Sequence, residues 1–113
     1  MEEKIEKFII ESERKRSANE RYVHFERELR NLPILIRGVD VKDCLLIAAI
    51  NHSVLVFALK DTFEDKNETF FENTKYDFYN AIKELKEKHS KLTEPLLYIK
   101  LFVEDFYLNN KEM

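Results

Sequence analysis

The side chains best suited to metal binding or catalysis are three histidines and one cysteine, namely His24, His52, His89 and Cys44. The histidines fall on three different predicted helices, each near an apolar stripe, so a helical bundle could bring them together. No two of these ligands have the spacing of a known metal motif such as HxxxH. A catalytic histidine also needs a nucleophile or a carboxylate beside it, and no motif in the sequence supplies one. We therefore expect no catalytic, metal or cofactor site.

The arginines are the second group with a chemical use. All six lie between residues 14 and 37, and the rest of the chain uses only lysine. Because arginine makes bidentate contacts to phosphate and carboxylate, this segment suggests a docking surface for nucleic acid or an acidic partner, with Arg14, Arg16 and Arg21 as candidate contacts. Interleaved glutamates and a net charge of −3 favour the simpler interpretation, a solvated helix face with mixed charge.

Glycine and proline are scarce, with one and two residues respectively among 113. Gly38 alone cannot form a glycine-rich phosphate loop or a dinucleotide fingerprint, which argues against the common nucleotide-dependent enzymes. All-β architectures are disfavoured for the same reason, because they need frequent turns. The acidic, highly charged N-terminus does not have the pattern of a signal peptide, and the single Cys44 lies in an apolar run. We therefore expect a cytoplasmic protein in which Cys44 is a buried apolar residue.

The most apolar part of the chain is residues 40–63, and it is predicted to form a buried central helix over 41–63. Asp40 and Asp43 supply an N-terminal cap and a first-turn acid. Within this helix Asn51 and His52 would need hydrogen-bond partners or a place at a subunit interface. The alternative is a buried β-hairpin of strands 44–50 and 54–60, although the turn between them has no glycine. A membrane span is not expected, because neither apolar piece approaches the ~20 residues that a bilayer requires.

The flanking segments have the apolar periodicity of helices. Residues 2–31 form either one helix or two that meet near Ser17, where a capping box begins, and Pro33 should end this region. Residues 34–39 are predicted to be an extended link. A further helix is expected over 68–89, and a last one should run from a cap at Thr93 to about Leu108. The sequence therefore predicts an all-α protein, a single domain over 1–113 with four to five helices bundled around the central one.

The last helix is apolar on more than one stripe, which suggests that it meets a partner. Phe102 and Phe106 are the predicted contacts of a homodimer, unless the N-terminal helix covers the second stripe instead. The favoured function is a small non-catalytic interaction or regulatory protein that acts through protein–protein contacts, with a homodimer expected and no membrane involved. The alternative is a nucleic-acid-binding regulatory protein that uses the arginine-bearing segment 14–37.

Overall fold

The computed structural model describes residues 2–60 and 68–108, apart from the side chains of Glu2 and Ile5. It has five α-helices, which are α1 (Glu2–Arg14), α2 (Ala18–Leu35), α3 (Val41–Ala58), α4 (Glu68–Lys88) and α5 (Thr93–Val103). A 3-10 turn precedes α5 and a π-helical segment, Glu104–Leu108, follows it. No strand occurs in the described residues, so the all-α prediction is confirmed and the β-hairpin alternative is wrong.

Capping boxes set two of the helix starts where the sequence indicates them. The Ser17 hydroxyl accepts from the Glu20 amide and the Glu20 carboxylate accepts from the Ser17 amide, both at 3.2 Å. Asp40 and Asp43 make the equivalent pair at 2.8 and 3.1 Å. Each box satisfies amides that the first helical turn leaves without partners. The N-terminal region is therefore two helices rather than one.

Pro33 does not end α2, which continues to Leu35. Two fully or nearly fully buried residues, Leu32 and Ile36, lie on either side of this point and hold the chain against the core. Packing outweighs the local preference of a residue before proline for an extended conformation. The predicted extended link is correspondingly short, since Ile36 is extended and Gly38 turns the chain with a φ of +69°. A positive φ of that size suits glycine.

The helix at the centre of the protein is α5. Six of its residues are buried, namely Leu96, Leu97, Tyr98, Ile99, Phe102 and Val103. Leu96, Ile99 and Phe102 belong to the main apolar cluster with residues of α2, α3 and α4, while Leu97 and Tyr98 pack with Ile9 of α1. The N-terminal helices thus cover the second apolar stripe of the last helix. The radius of gyration of 14.3 Å is close to the ~13 Å of a compact domain of about 100 residues.

The prediction that residues 41–63 form the most buried element is wrong. One face of α3 packs along α4 and buries Ile47, Ile50 and Phe57, but the opposite face is exposed. The α-helix ends at Ala58, and residues 61–63 lie outside the described part of the chain. The physical reason is competition for the centre, because neighbouring helices pack on more than one side of α5, whereas α3 packs on the bundle with one face.

By length and composition α3 could cross a membrane, with a mean hydropathy of 1.6 over 18 residues. The core helix of a globular protein has the same properties, and 39% of this window is buried inside the bundle. The buried face of α3 includes the carboxylate of Asp43 and the hydroxyl of Ser53. The Ser53 hydroxyl donates to the Ala49 carbonyl of the same helix, and the Asp43 carboxylate contacts Lys88 and His89 at the end of α4, so α3 is part of the bundle.

The remaining boundaries agree with the sequence except at the last helix. The observed α4 matches the predicted helix over 68–89 to within one residue. Thr93 is already the first residue of α5, and its hydroxyl donates to the Ser90 carbonyl at 2.7 Å instead of capping α5. Beyond Val103 the backbone changes to the π-helical segment, so the α-helix is shorter than predicted.

A pair of matched leucine substitutions tests this arrangement. Leu96 of α5 is fully buried, whereas Leu55 of α3 is exposed. Leu96→Ala should lower the free energy of unfolding by about 2–5 kcal/mol, because it leaves a cavity in the core. Leu55→Ala should change it by no more than about 0.5 kcal/mol. Denaturant unfolding at submicromolar protein concentration measures both, and equal losses would contradict the central place of α5.

Candidate functional site

Two of the three candidate arginines are engaged with carboxylates. The Arg21 guanidinium contacts Glu13 through Nε at 2.6 Å and Asp105 through Nη2 at 2.8 Å. Arg16 lies 3.5 Å from the other oxygen of Glu13. Arg14 is exposed at the end of α1. The positive charges of Arg16 and Arg21 are therefore balanced locally, and the three arginines do not form a common basic surface.

Glu13 is also the centre of a buried polar cluster that joins three helices. Its Oε1 lies 3.8 Å from His24 Nδ1, and His24 Nε2 lies 3.2 Å from Glu28. The Tyr98 ring of α5 meets the His24 ring edge-on, with centroids 3.9 Å apart. Burial, together with the neighbouring Glu13, raises the pKa of Tyr98 to about 12. Because Arg21 of α2 and Tyr98 of α5 both contact the Glu13 carboxylate of α1, the cluster holds α1 onto α2 and α5.

A second polar cluster joins the start of α3 to the end of α4. His89 Nε2 lies 2.9 Å from Asp43 Oδ1, and Lys88 Nζ lies 3.0 Å from the same oxygen. Lys88 also contacts the cap residue Asp40 at 2.6 Å. Burial opposes ionisation of Asp43, but the hydrogen bonds with His89 and Lys88 outweigh it and hold the pKa of this carboxyl well below its usual value. Sequence reasoning identified Asp43 only as a first-turn acid, because nothing local indicates a partner 46 residues away.

An aspartate beside a histidine is part of several hydrolytic sites, but there the histidine must also reach a nucleophile. The contacts of Asp43 are those of a helix junction, with the cap of α3 on one side and the last turn of α4 on the other. The three histidines do not converge, since His24 and His89 lie in the two separate clusters and His52 is exposed on α3. Within residues 2–60 and 68–108, no group of three potential ligands could hold a metal ion.

The predicted partner contacts on the last helix are placed differently by the structure. Phe102 is buried, with its ring stacked between Phe25 at 4.2 Å and Phe106 at 4.4 Å. Phe106 is half-buried, and the Arg21 guanidinium lies 4.8 Å from its ring centroid. Because α2 covers the stripe on which Phe102 lies, its side chain offers no exposed surface to a second copy, and a contact at the half-buried Phe106 stays a prediction.

A row of exposed apolar residues runs along α3. Six residues spaced alternately four and three apart form what we call the α3 stripe: Val41, Leu45, Ala48, His52, Leu55 and Leu59. The four large apolar members are 76, 66, 56 and 42% exposed in chain order. At 100° per residue the six positions fall within an arc of about 80°, which is the pattern of a coiled-coil seam. Large exposed apolar patches are often found where proteins contact a partner.

Three smaller residues flank the α3 stripe along one edge, at a spacing of seven. These are Cys44, Asn51 and Ala58, and all three are exposed. The prediction of a buried Cys44 is therefore wrong, and Asn51 and His52 do not lie in the core. Asn51 and His52 are polar and lie on the same face of α3 as the small Ala48. This pattern is the feature of the sequence that indicates a face pointing away from the core.

A groove of about 320 Å³ separates α2 from α3 beside this edge. It is lined by Glu26, Leu29, Arg30, Pro33, Ile47 and Asn51. The charged residues lie on α2 and Asn51 lies on α3, so the apolar α3 stripe has a polar border. Such a border, around an apolar centre, is common in protein–protein interfaces.

Comparison of the chain with protein-family models, with curated proteins and with solved structures finds no match. The assignment of function therefore depends on the α3 stripe and the two polar clusters.

The Asp43 cluster gives a pH-dependent prediction. A carboxylate whose pKa is depressed by folding stabilises the folded state above its unfolded pKa of about 4, and this contribution is lost as the pH falls through the folded pKa. Asp43→Asn should therefore be less stable than the natural protein at pH 7, and the difference should shrink below about pH 4. Thermal unfolding across this range measures it, with Asp77→Asn, an exposed site on α4, as the control. A difference that is unchanged at low pH would contradict the role of the Asp43 carboxylate.

Proposed function

We propose that the protein is a small, non-catalytic interaction protein of the cytoplasm that associates with a second copy of itself through the α3 stripe. In this proposal the bundle is a scaffold that presents one helix face for assembly, and a regulatory role depends on that assembly. The observation that carries the proposal is the exposed seam of α3, with Leu45 and Leu55 at its centre and more than half exposed.

The fold itself has no need of this seam. The packing of α3 on the bundle uses Ile47, Ile50 and Phe57, on the face opposite the stripe. If positions 45 and 55 held polar residues, the contacts of Ile47, Ile50 and Phe57 would be unchanged, and no large apolar side chain would be exposed to water at these two positions. Burying a leucine side chain contributes about 1.5–3 kcal/mol. Burial of Leu45 and Leu55 against a partner would therefore stabilise the complex.

A second copy suits the surface because the α3 stripe contains no charged lysine, arginine, aspartate or glutamate. Two such faces can approach without like-charge repulsion, which otherwise excludes self-association. Closed homodimers are also the commonest symmetric assembly. The contacts of one helix pair are fewer than those of a standard interface of about 1,600 Å², so we expect a dissociation constant in the micromolar range.

The two polar clusters support a non-catalytic role. Glu13 and Asp43 are buried carboxylates, and each has its charged partners on a neighbouring helix. Removing one member of a buried pair leaves an uncompensated charge, so such clusters are important for the structure even where they do no chemistry. Their position at helix junctions accounts for them without a substrate.

Sedimentation of the natural protein and of charged variants tests the proposal. The natural protein should be dimeric at about 100 μM. Leu45→Lys and Leu55→Lys should each weaken association by at least about tenfold, because a charge would be buried in an apolar seam. Val23→Lys, which changes a half-exposed apolar residue on α2, should leave the dimer unchanged.

A natural protein that stays monomeric at that concentration would refute the proposal. Vesicles of neutral lipid provide the second arm of the experiment. Vesicle binding by a monomer, lost in Leu45→Lys and Leu55→Lys, would show that the stripe meets a membrane surface and not a second copy.

Nucleic-acid binding is the alternative function, and the ion pairs of Arg16 and Arg21 argue against it. Because Glu13 and Asp105 neutralise these side chains, we expect micromolar or weaker binding to random DNA at physiological salt, with a shallow dependence on salt. Fluorescence anisotropy with a labelled duplex measures this. Nanomolar binding that is lost when Arg14, Arg16 and Arg21 are changed to Glu would favour the alternative.

A further inference from the structure

We infer that the two copies pair antiparallel along α3, about a two-fold axis that crosses the interface at the level of Ile50 and Asn51 along the helix. This inference rests on the proposed function, because it states which residues of the second copy the α3 stripe contacts. It follows from the order of residue types along the stripe and along its flanking edge.

The α3 stripe is symmetric about Ile50. Its members lie nine, five and two residues to either side of that position. Antiparallel helices related by a two-fold axis bring such equidistant positions together in layers. The innermost layer then joins Ala48 to His52 of the partner subunit, and the next joins Leu45 to Leu55 of the partner subunit. The outermost layer joins Val41 to Leu59 of the partner subunit.

Side-chain sizes suit these layers. The smallest member, Ala48, meets the partner's His52, so each inner layer contains one small and one large side chain. A parallel pair in register would instead place Ala48 on Ala48 of the partner subunit and His52 on His52 of the partner subunit. The first layer would leave a void and the second would crowd two imidazoles, and both are unfavourable in a packed interface.

The flanking edge formed by Cys44, Asn51 and Ala58 is also symmetric, but its centre is Asn51, one residue after the centre of the α3 stripe. Cys44 and Ala58 lie seven residues to either side of Asn51. In an antiparallel pair the same edge of both helices faces the same side. Asn51 therefore meets Asn51 of the partner subunit, and an amide can both donate and accept. A polar pair of this kind, beside a mostly apolar seam, helps to fix the register of two helices.

Helix polarity favours the same arrangement. The N-terminus of a helix has a partial positive charge and its C-terminus a partial negative charge. Antiparallel pairing sets the start of α3 beside the end of the partner's α3. Parallel pairing would place two like ends together.

Disulfide trapping distinguishes the two orientations. Leu45→Cys and Leu55→Cys are made in separate chains, each in a Cys44→Ser background, with a size tag on one of them. In the antiparallel pair, positions 45 and 55 of different copies share a layer, while identical positions are about 15 Å apart along the axis. A disulfide needs Cα atoms within about 7 Å. The parallel pair reverses these separations.

We expect the mixed chains to form the tagged–untagged disulfide at least about tenfold faster than either chain alone forms its own. Glu87→Cys in the same background, at an exposed site on α4, gives the rate of random collision. Faster trapping of each chain with itself, or trapping of the mixture no faster than this control, would overturn the antiparallel pairing while the dimer stands. A monomer in sedimentation would overturn the proposed function as well.

A spin label on the natural Cys44 tests the same geometry without changing the α3 stripe. With the two-fold axis at the level between Ile50 and Asn51, antiparallel pairing separates the two labelled Cα atoms by about 20 Å along the helix axis at 1.5 Å per residue, and by about 22 Å once the distance between helices is included. Parallel pairing gives no axial separation. A distance distribution centred well below 20 Å in the dimer would contradict the inference, whatever the disulfide rates show.

Discussion

Burial of the apolar residues of α5 is the constraint on which the rest of the structure depends. This helix has only 11 residues, and six of them are buried against neighbouring helices on more than one side, so it cannot remain at a surface. α1 and α2 cover one side, where Phe25 stacks on Phe102, and α3 with α4 covers the other. The buried carboxylates of Glu13 and Asp43 lie at the outer junctions of this arrangement and join the covering helices to each other.

The place of α5 at the centre leaves α3 at the periphery. A peripheral helix in a bundle needs one apolar face, but α3 has a second one, with Leu45 and Leu55 directed to solvent. Sequences seldom retain such a seam on an isolated surface, because it promotes aggregation unless a partner covers it. The apolar surplus that the sequence suggests on the last helix is therefore present in the molecule, but on a different helix. Association through α3 accounts for it without any change in the bundle.

Much of the fold could be predicted because its determinants are local. The capping pairs Ser17–Glu20 and Asp40–Asp43 depend on residues three apart, and the apolar stripe of α4 repeats along its own helix. Which helix occupies the centre depends on how helices that are far apart in the sequence pack together. Both α3 and α5 are apolar enough for that place, and their sequences alone do not decide between them. Pro33 shows the same limit, because contacts of Leu32 and Ile36 with the core outweigh a local preference. The ion pair of Asp43 with His89 joins residues 46 apart, and no periodicity indicates it.

We propose that the exposed face of α3 is the surface by which this protein associates, and methyl NMR over a concentration series tests this proposal most directly. Spectra recorded from about 10 μM to about 1 mM span the expected dissociation constant. We expect the methyl signals of Leu45 and Leu55 to shift progressively over this range, while those of Val23, half-exposed on α2, stay constant. Constant signals at Leu45 and Leu55, or shifts confined to residues outside α3, would contradict it.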